Sequence, residues 1–301
     1  MPWTLVLNPV AGRGHTRDLA PALRAAVARA AFDAEVVVSA SAADAEALAR
    51  KAADAGRDLI AAGGDGTVGL LAGVAADTGC RLGIVPTGSG NDFAAALGYD
   101  RKRPLDAIAA IAGGRDATVD LGVVNGRWYT CVTCSGFDAE ANRWANTVTR
   151  LTGTTLYVAA VLRTLAVYRP NPFRVTVDGT VHETPAWMVA VGNSRAYAGG
   201  MQIVPDARMD DGLLDVCVIG NLSRSQLLRH FPKVFRGAHL SVPGVETYRG
   251  SRITVEALGS DTMEVWADGE RVGPLPATME PRPGALRVRV PLSSPIDSVR
   301  T

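Results

Sequence analysis

Over the first 120 or so residues, apolar runs of strand length alternate with longer stretches rich in Ala, Leu and charged residues. The runs at 3–8, 34–39, 58–62 and 82–86 read as strands. The stretches at 17–31, 44–55 and 67–76 read as helices, and a further helix opens at 92–97. Strands that alternate with helices in this way predict a mostly parallel sheet with helices on both faces. Past Val119 the texture changes to short alternating segments broken by Asn-Gly, Asp-Gly and Gly-Asn pairs, as in "VVNGRWYTCVT", "RVTVDGTVHE" and "EVWADGE". Such pairs are hairpin signals, so the pattern predicts an antiparallel β-rich sandwich interrupted by helices near 140–168, broken near Gly153, and 223–235. The boundaries expected are 1–122 for a doubly wound α/β domain, 123–290 for the β-rich domain, and 291–301 for a tail that is loose or straps back to the first. No internal repeat is present.

Three of the strand-to-helix junctions carry glycine. They are Asn8-Pro9-Val10-Ala11-Gly12-Arg13-Gly14, Gly63-Gly64-Asp65-Gly66-Thr67 and Pro86-Thr87-Gly88-Ser89-Gly90-Asn91-Asp92. Glycine lets backbone approach a ligand without Cβ obstruction, and a helix N-terminus presents N–H groups that favour an anion. In a parallel sheet all three loops leave the same edge, where ligands of such folds bind. Asp65 would repel a phosphate unless a cation lay between them, which points to a metal-bound nucleotide. Neither common phosphate motif fits. The third glycine of G-x-G-x-x-G is replaced by Arg17, and no loop glycine is followed by lysine as in a P-loop.

Composition narrows the picture further. With 301 residues, 47% of them hydrophobic, the chain is long enough for two cores. Its 31 Lys and Arg against 30 Asp and Glu leave a net charge of +1, which gives no global electrostatic case for nucleic acid. The N-terminus does not read as a leader, and no apolar run reaches the roughly 18 residues of a bilayer span. A cytoplasmic protein is expected, one still able to visit a membrane surface. Cys131-x-x-Cys134 lies in an apolar strand-like stretch with no second ligand pair, so buried thiols are expected rather than a zinc or redox site.

Taken in order, "NPVAGRG", "GGDGTV", "PTGSGNDFA", "GGMQIVPDARMDDGLLDV" and "WADGE" resemble the diacylglycerol kinase catalytic-domain superfamily, and within it bacterial lipid kinases related to diacylglycerol, sphingosine and ceramide kinases. The resemblance covers nearly the whole chain. Ser89 stands where the pattern has threonine, and Arg13 where many relatives carry lysine or a small polar residue.

The resemblance implies an ATP- and Mg²⁺-dependent kinase acting on a lipid hydroxyl presented at a membrane surface. It places Asn8, Gly12 and Arg13 beside the nucleotide, Gly63, Gly64, Gly66 and Thr67 around its phosphates, and Gly88, Ser89 and Asn91 on the other side, with Asp65 on Mg²⁺. Asp268 is implied as the general base, with Glu270 assisting or sharing the role. A second, structural Mg²⁺ is implied at Asp211 with backbone carbonyls around Arg208 and Leu213. Asp138 is either a residue near the lipid head group or a helix N-cap. The apolar stretch 156–168 either touches lipid or closes the β domain. NAD kinase shares a GGDG loop and is the rival enzyme; a catalytically idle nucleotide- or lipid-binding regulator is the rival from another class. A homodimer is compatible with all of these readings.

Overall fold

The computed structural model describes residues 2–30, 32–145, 160, 162–259 and 262–296. It divides into two compact units. The first comprises Met1–Leu121, Met209–Asp211 and Arg282–Thr301; the second comprises Gly122–Arg208 and Gly212–Pro281. Residues 282–301 group by contact with the first unit.

In the first unit the strands β1 (Trp3–Leu7), β2 (Ala34–Val38), β3 (Asp58–Gly63) and β4 (Arg81–Pro86) are joined by the helices α1 (His15–Ala30), α2 (Ala42–Asp54) and α3 (Asp65–Thr78). α4 (Asp92–Ala96) and α5 (Asp106–Gly113) follow. The strand order is β2-β1-β3-β4 and every neighbouring pair is parallel. β1, β3 and β4 are buried almost throughout, as a sheet covered on both faces requires. α2 packs on α3 and α1 on α5. The chain steps from β1 outward to β2 but from β3 in the opposite direction to β4, so the order reverses between β1 and β3. Crevices at such reversals are where ligands of α/β sheets bind.

The last strand, β16 (Ala277–Val290), starts in the second unit and ends in the first, where Arg287 and Val288 pair in parallel with Arg81 and Leu82 of β4. Ions fix this edge. Arg81 lies 2.6 Å from Asp58 and 3.0 Å from Asp116, and Arg289 of β16 also reaches Asp116 at 3.0 Å. Asp58 is buried, and its two-sided contact with the Arg81 guanidinium offsets the desolvation of the charge. Beyond the strand, Arg115 donates to the carbonyls of Ser294 and Ile296, which holds the tail on this unit.

The second unit stacks two antiparallel sheets. One has the order β12-β11-β10-β7-β14-β15, built from Val245–Gly250, Leu214–Ile219, Met188–Gly192, Val132–Gly136, Glu264–Ala267 and Glu270–Pro274. The other pairs the start of β16 with β13 (Ile253–Ala257), β8 (Asn171–Val177) and β9 (Thr180–Ala186). β5 (Arg115–Val124) crosses into this unit and pairs with β6 (Arg127–Tyr129). Phe173, Val175 and Val177 alternate inward from β8. They meet Val216 and Val218 of β11 and Val189 and Val191 of β10 in one core. That is the sandwich expected from period-two patterning.

Helical residues outside the sheets of this unit include α6 (Phe137–Ala145), residues 162–167 and α7 (Arg224–His230), followed by tighter turns at Phe231–Arg236 and Ala238–Ser241. The break expected near Gly153 and the part of the apolar stretch at 156–159 lie outside the described residues. Among the described residues, no helix is long and apolar enough to cross a membrane.

Candidate active site

The three glycine-bearing loops of the first unit are tied to one another by side chains. Asn8, just past β1, donates from Nδ2 to Thr67 Oγ1 at 2.8 Å, while its Oδ1 accepts from the Val10 N–H. Thr16, buried at the start of α1, donates to Thr87 Oγ1 at 2.8 Å and so joins the first loop to the third. Asp65 joins the second loop to the third. Its Oδ2 accepts from the Asn91 N–H at 2.8 Å and its Oδ1 from the Asp92 N–H at 2.7 Å, at the first turn of α4. Asn91 folds the third loop on itself, accepting from the Gly88 N–H and donating to the Gly88 carbonyl. Asp92 is buried and paired with Arg101 at 3.3 Å.

Backbone also meets backbone here. A Cβ on Gly88 would lie 2.4 Å from Gly64 Cα, and a Cβ on Gly64 would lie 3.2 Å from Gly88 Cα. Gly64 is the N-cap of the 14-residue α3 and supplies no capping side chain. The N-terminal N–H groups of that helix therefore face the loop cluster without a side-chain acceptor at the cap. Gly66 and Ser89 are exposed at the loop tips, whereas Thr67 and Asn91 are buried beneath them. Gly12 sits in the turn Ala11–Gly14 with φ of 56°. The side chain of Arg13 lies outside the described residues.

Asp65 thus has a task that motif reading did not reveal: it clamps the third loop. Asp65→Asn keeps one acceptor oxygen and turns an amide N–H₂ toward one of the two backbone donors. It is expected to cost about 1–2 kcal/mol and to speed hydrogen exchange at the Asn91 or Asp92 amide. Unchanged protection at both amides would show that the clamp is dispensable.

In the second unit the Asp268-Gly269 hairpin joins β14 to β15, with Asp268 at φ of 50°. Its backbone is at the turn, so the residue as a whole is half-buried, but its carboxylate is enclosed. Oδ2 accepts from Thr130 N–H at 2.6 Å and Thr130 Oγ1–H at 2.8 Å; Oδ1 accepts from the N–H groups of Cys131 at 2.9 Å and Val132 at 3.1 Å. Burial raises its pKa above the ordinary carboxylate value, and the hydrogen bonds from Thr130, Cys131 and Val132 oppose that rise. Glu270, two residues on, is exposed and pairs with Arg127 at 3.0 Å. The two hairpin carboxylates are therefore unlike: one is fully engaged in holding a turn, the other is open.

Asp138 is buried in the first turn of α6 and accepts from the Cys134 thiol at 3.0 Å. Burial first, and then the Asp138 carboxylate, push the Cys134 pKa well above its usual value, so Cys134 stays a thiol. Cys131, Cys134 and Cys217 are buried free thiols. Asp138 also lies on the wall of an apolar cavity that is open to solvent. Phe137, Trp187 and Met188 line one side of the cavity, and Leu227, Phe231 and Val234 the other. His239 on the same wall is buried. Its Nε2 lies 3.1 Å from the Ile203 carbonyl, and its Nδ1 has no partner among the described residues.

Asp211 lies in the first unit and is half-buried, whereas Arg208 and Leu213 belong to the second. Among the described residues, no group of three or more His, Cys, Asp and Glu side chains is placed to hold a metal ion. The set expected around Asp211 is of another kind, one carboxylate with backbone carbonyls. Sequence reading passed over Thr16, Thr87, Asp92 and Arg101. The first two are ordinary threonines in their loops, and their pairing appears only once the strands are aligned.

Comparison with known proteins bears on both units. Residues 2–124 match the diacylglycerol kinase catalytic domain, and residues 131–290 match the YegS C-terminal NAD kinase beta sandwich-like domain. Over 295 residues the chain is 37% identical to a diacylglycerol kinase of Mycobacterium tuberculosis, covering 96% of this chain and 94% of that protein. Over 277 residues it is 28% identical to a diacylglycerol kinase of Bacillus subtilis, covering 90% of each. A crystal structure of a putative diacylglycerol kinase from Bacillus anthracis superposes with a TM-score of 0.81 at 25% identity, covering 96% of this chain and 95% of that one. With both halves matched in order and nearly the full length aligned, the chain belongs to the diacylglycerol kinase catalytic-domain superfamily and is a lipid kinase, a phosphotransferase with an alcohol acceptor.

Proposed function

We propose that the protein transfers the γ-phosphoryl group of ATP, with Mg²⁺, to the hydroxyl of a diacylglycerol or a related glycerolipid or sphingoid lipid. The observation that carries the donor half is the cross-linked loop cluster at the strand-order reversal. In this reading Asn8, Gly12 and Arg13 border the nucleotide, Gly63, Gly64, Gly66 and Thr67 cradle its phosphates, and Gly88, Ser89 and Asn91 close the other side. Each Asp65 oxygen accepts a single backbone hydrogen bond, so lone pairs remain for a hydrated cation, and oxygen donors suit Mg²⁺. Bound there, Mg²⁺ would neutralise charge on the phosphates. A structural Mg²⁺ at Asp211 belongs to the same reading.

The acceptor half belongs to the second unit. Its cavity is lined mostly by apolar side chains, with Asp138, Tyr197, His230 and His239 bringing polar groups, which fits a lipid body with a polar head. It does not fit a dinucleotide, and that favours lipid over the NAD kinase reading. Glu270 takes the role of general base. It is exposed, paired with Arg127 through Oε2, and able to orient a hydroxyl and accept its proton, whereas the lone pairs of Asp268 are committed to four donors. Incubation with labelled ATP and Mg²⁺ against diacylglycerol, phosphatidylglycerol, ceramide, sphingosine and NAD tests the proposal. A labelled lipid is expected. Labelled NAD with no lipid product would overturn it.

A further inference from the structure

The chain is nearly neutral as a whole, but its charge is not evenly spread. Between Asp215 and Glu246 there is no Asp or Glu, and four cations, Arg224, Arg229, Lys233 and Arg236, fall in this stretch. They lie on α7 and the tighter turn that follows it. Arg224 is used internally, donating to the carbonyls of Leu165 and Tyr168 and so tying α7 to the end of the helical residues 162–167. Arg229, Lys233 and Arg236 are exposed. His230 among them has its pKa lowered, by partial burial first and then by the positive charges of Lys233 and Arg229.

The same segment is two-sided. Inward, Leu227, Phe231 and Val234 form a wall of the apolar cavity. Outward, Phe235 is 47% exposed, Leu228, which also lines the cavity, is 51% exposed, and on the adjoining helical residues Leu162 is 50% and Val167 60% exposed. Phe235 rests edge-on against Phe231 with ring centroids 6.0 Å apart, so apolar surface continues from the cavity wall to solvent. Large apolar side chains interleaved with unopposed cations are the composition of a surface that lies in the headgroup layer of a bilayer. A nucleic acid would use the cations but leave Leu228, Phe235 and Val167 in water.

We propose that α7 and the turn Phe231–Arg236, with the adjoining residues 162–167, form the docking surface for a bilayer carrying anionic phospholipid headgroups, at the mouth of the cavity that takes the acceptor lipid. The docking assignment rests on the reading of that cavity given above. Arg229, Lys233 and Arg236 meet the anionic headgroups. Phe235 and Leu228 enter the interface, so that a lipid passes from the bilayer into the cavity beside Phe231 without crossing water.

Sedimentation with vesicles tests the surface without reference to turnover. Wild type is expected to bind vesicles of phosphatidylcholine with one-third phosphatidylglycerol, to bind pure phosphatidylcholine vesicles far more weakly, and to be released by salt. The triple variant Arg229→Glu, Lys233→Glu, Arg236→Glu should lose about 10²-fold in binding to the anionic vesicles. Phe235→Ser should lose about tenfold, on the scale of one buried aromatic side chain. Equal binding to neutral and anionic vesicles, or an unaffected triple variant, overturns the proposal. So does salt-sensitive binding that Phe235→Ser leaves unchanged, which would mark a plain polyanion site. Turnover of a short-chain, water-dispersed diacylglycerol by the folded triple variant should equal wild type. A loss there would place the cations in the active site and overturn the assignment. Vesicle binding as expected in a wild type that phosphorylates no lipid would leave the surface standing and remove the kinase reading alone.

Discussion

Glu270→Gln is expected to lower lipid phosphorylation by about 10²-fold or more at an unchanged melting temperature, whereas Asp268→Asn is expected to act on the fold. The difference follows from what each carboxylate touches. Asp268 receives three backbone N–H groups and one hydroxyl. Asparagine offers a single acceptor oxygen, and its N–H₂ must face either Thr130 or the Cys131 and Val132 donors. The Thr130 hydroxyl can turn to accept, but a backbone N–H cannot, so at least one buried donor is stranded. Asparagine is tolerated at positive φ, so the turn conformation itself adds little. A cost of about 2–4 kcal/mol results, which in a unit of this size lowers the melting temperature by about 5–12 °C.

Glu270 carries no such burden. Its ion pair with Arg127 is between two exposed side chains and contributes little to stability. Losing its basicity removes proton acceptance and little else. A Glu270→Gln protein with most of its turnover, beside an inactive Asp268→Asn protein that melts like wild type, would return the base role to Asp268.

The sequence signalled the α/β unit clearly because its strands are fully buried runs and its loops are glycine-rich. Period-two patterning and Asn-Gly or Asp-Gly pairs did the same for the sandwich. Motif order pointed to both carboxylates of the hairpin but could not rank them. An Asp-Gly turn looks the same whether its carboxylate faces solvent or Thr130, and only the strand pairing of β7 with β14 brings the Thr130–Val132 amides under Asp268. The return of β16 to β4 was hidden for a similar reason. Pro281-Arg282-Pro283-Gly284 marks a break between its antiparallel and its parallel pairings, but no local signal names the partner beyond that break. The cavity was invisible because Phe137, Trp187, Phe231 and His239 come from four separate segments.

The second large effect is expected at Gly88. Its backbone is not in the left-handed region, so alanine is conformationally allowed there; the obstacle is Gly64. A Cβ at position 88 would sit 2.4 Å from Gly64 Cα and 2.9 Å from Asn91 Oδ1. The nearer atom is backbone at the N-cap of α3, and it cannot swing aside as a side chain can. Relief requires the second and third loops to part, which pulls on the Asp65 hydrogen bonds to Asn91 and Asp92. It also moves the α3 N-terminus away from the facing loop. Gly88→Ala is therefore expected to destabilise the first unit by about 2–4 kcal/mol and to weaken ATP binding by about 10²-fold. Gly64→Ala addresses the same contact from the other side, where the Cβ would lie 3.2 Å from Gly88 Cα. A shift of a few tenths of an ångström suffices there, and about 1 kcal/mol is expected. Gly113→Ala, at the end of α5 with nothing within 4 Å of the added Cβ, serves as the control. Melting and calorimetric ATP titration of the three variants should rank them Gly88, Gly64, Gly113 in decreasing effect. If Gly88→Ala melts and binds like Gly113→Ala, the two loops do not touch in solution, and the phosphate cradle drawn from their contact is wrong.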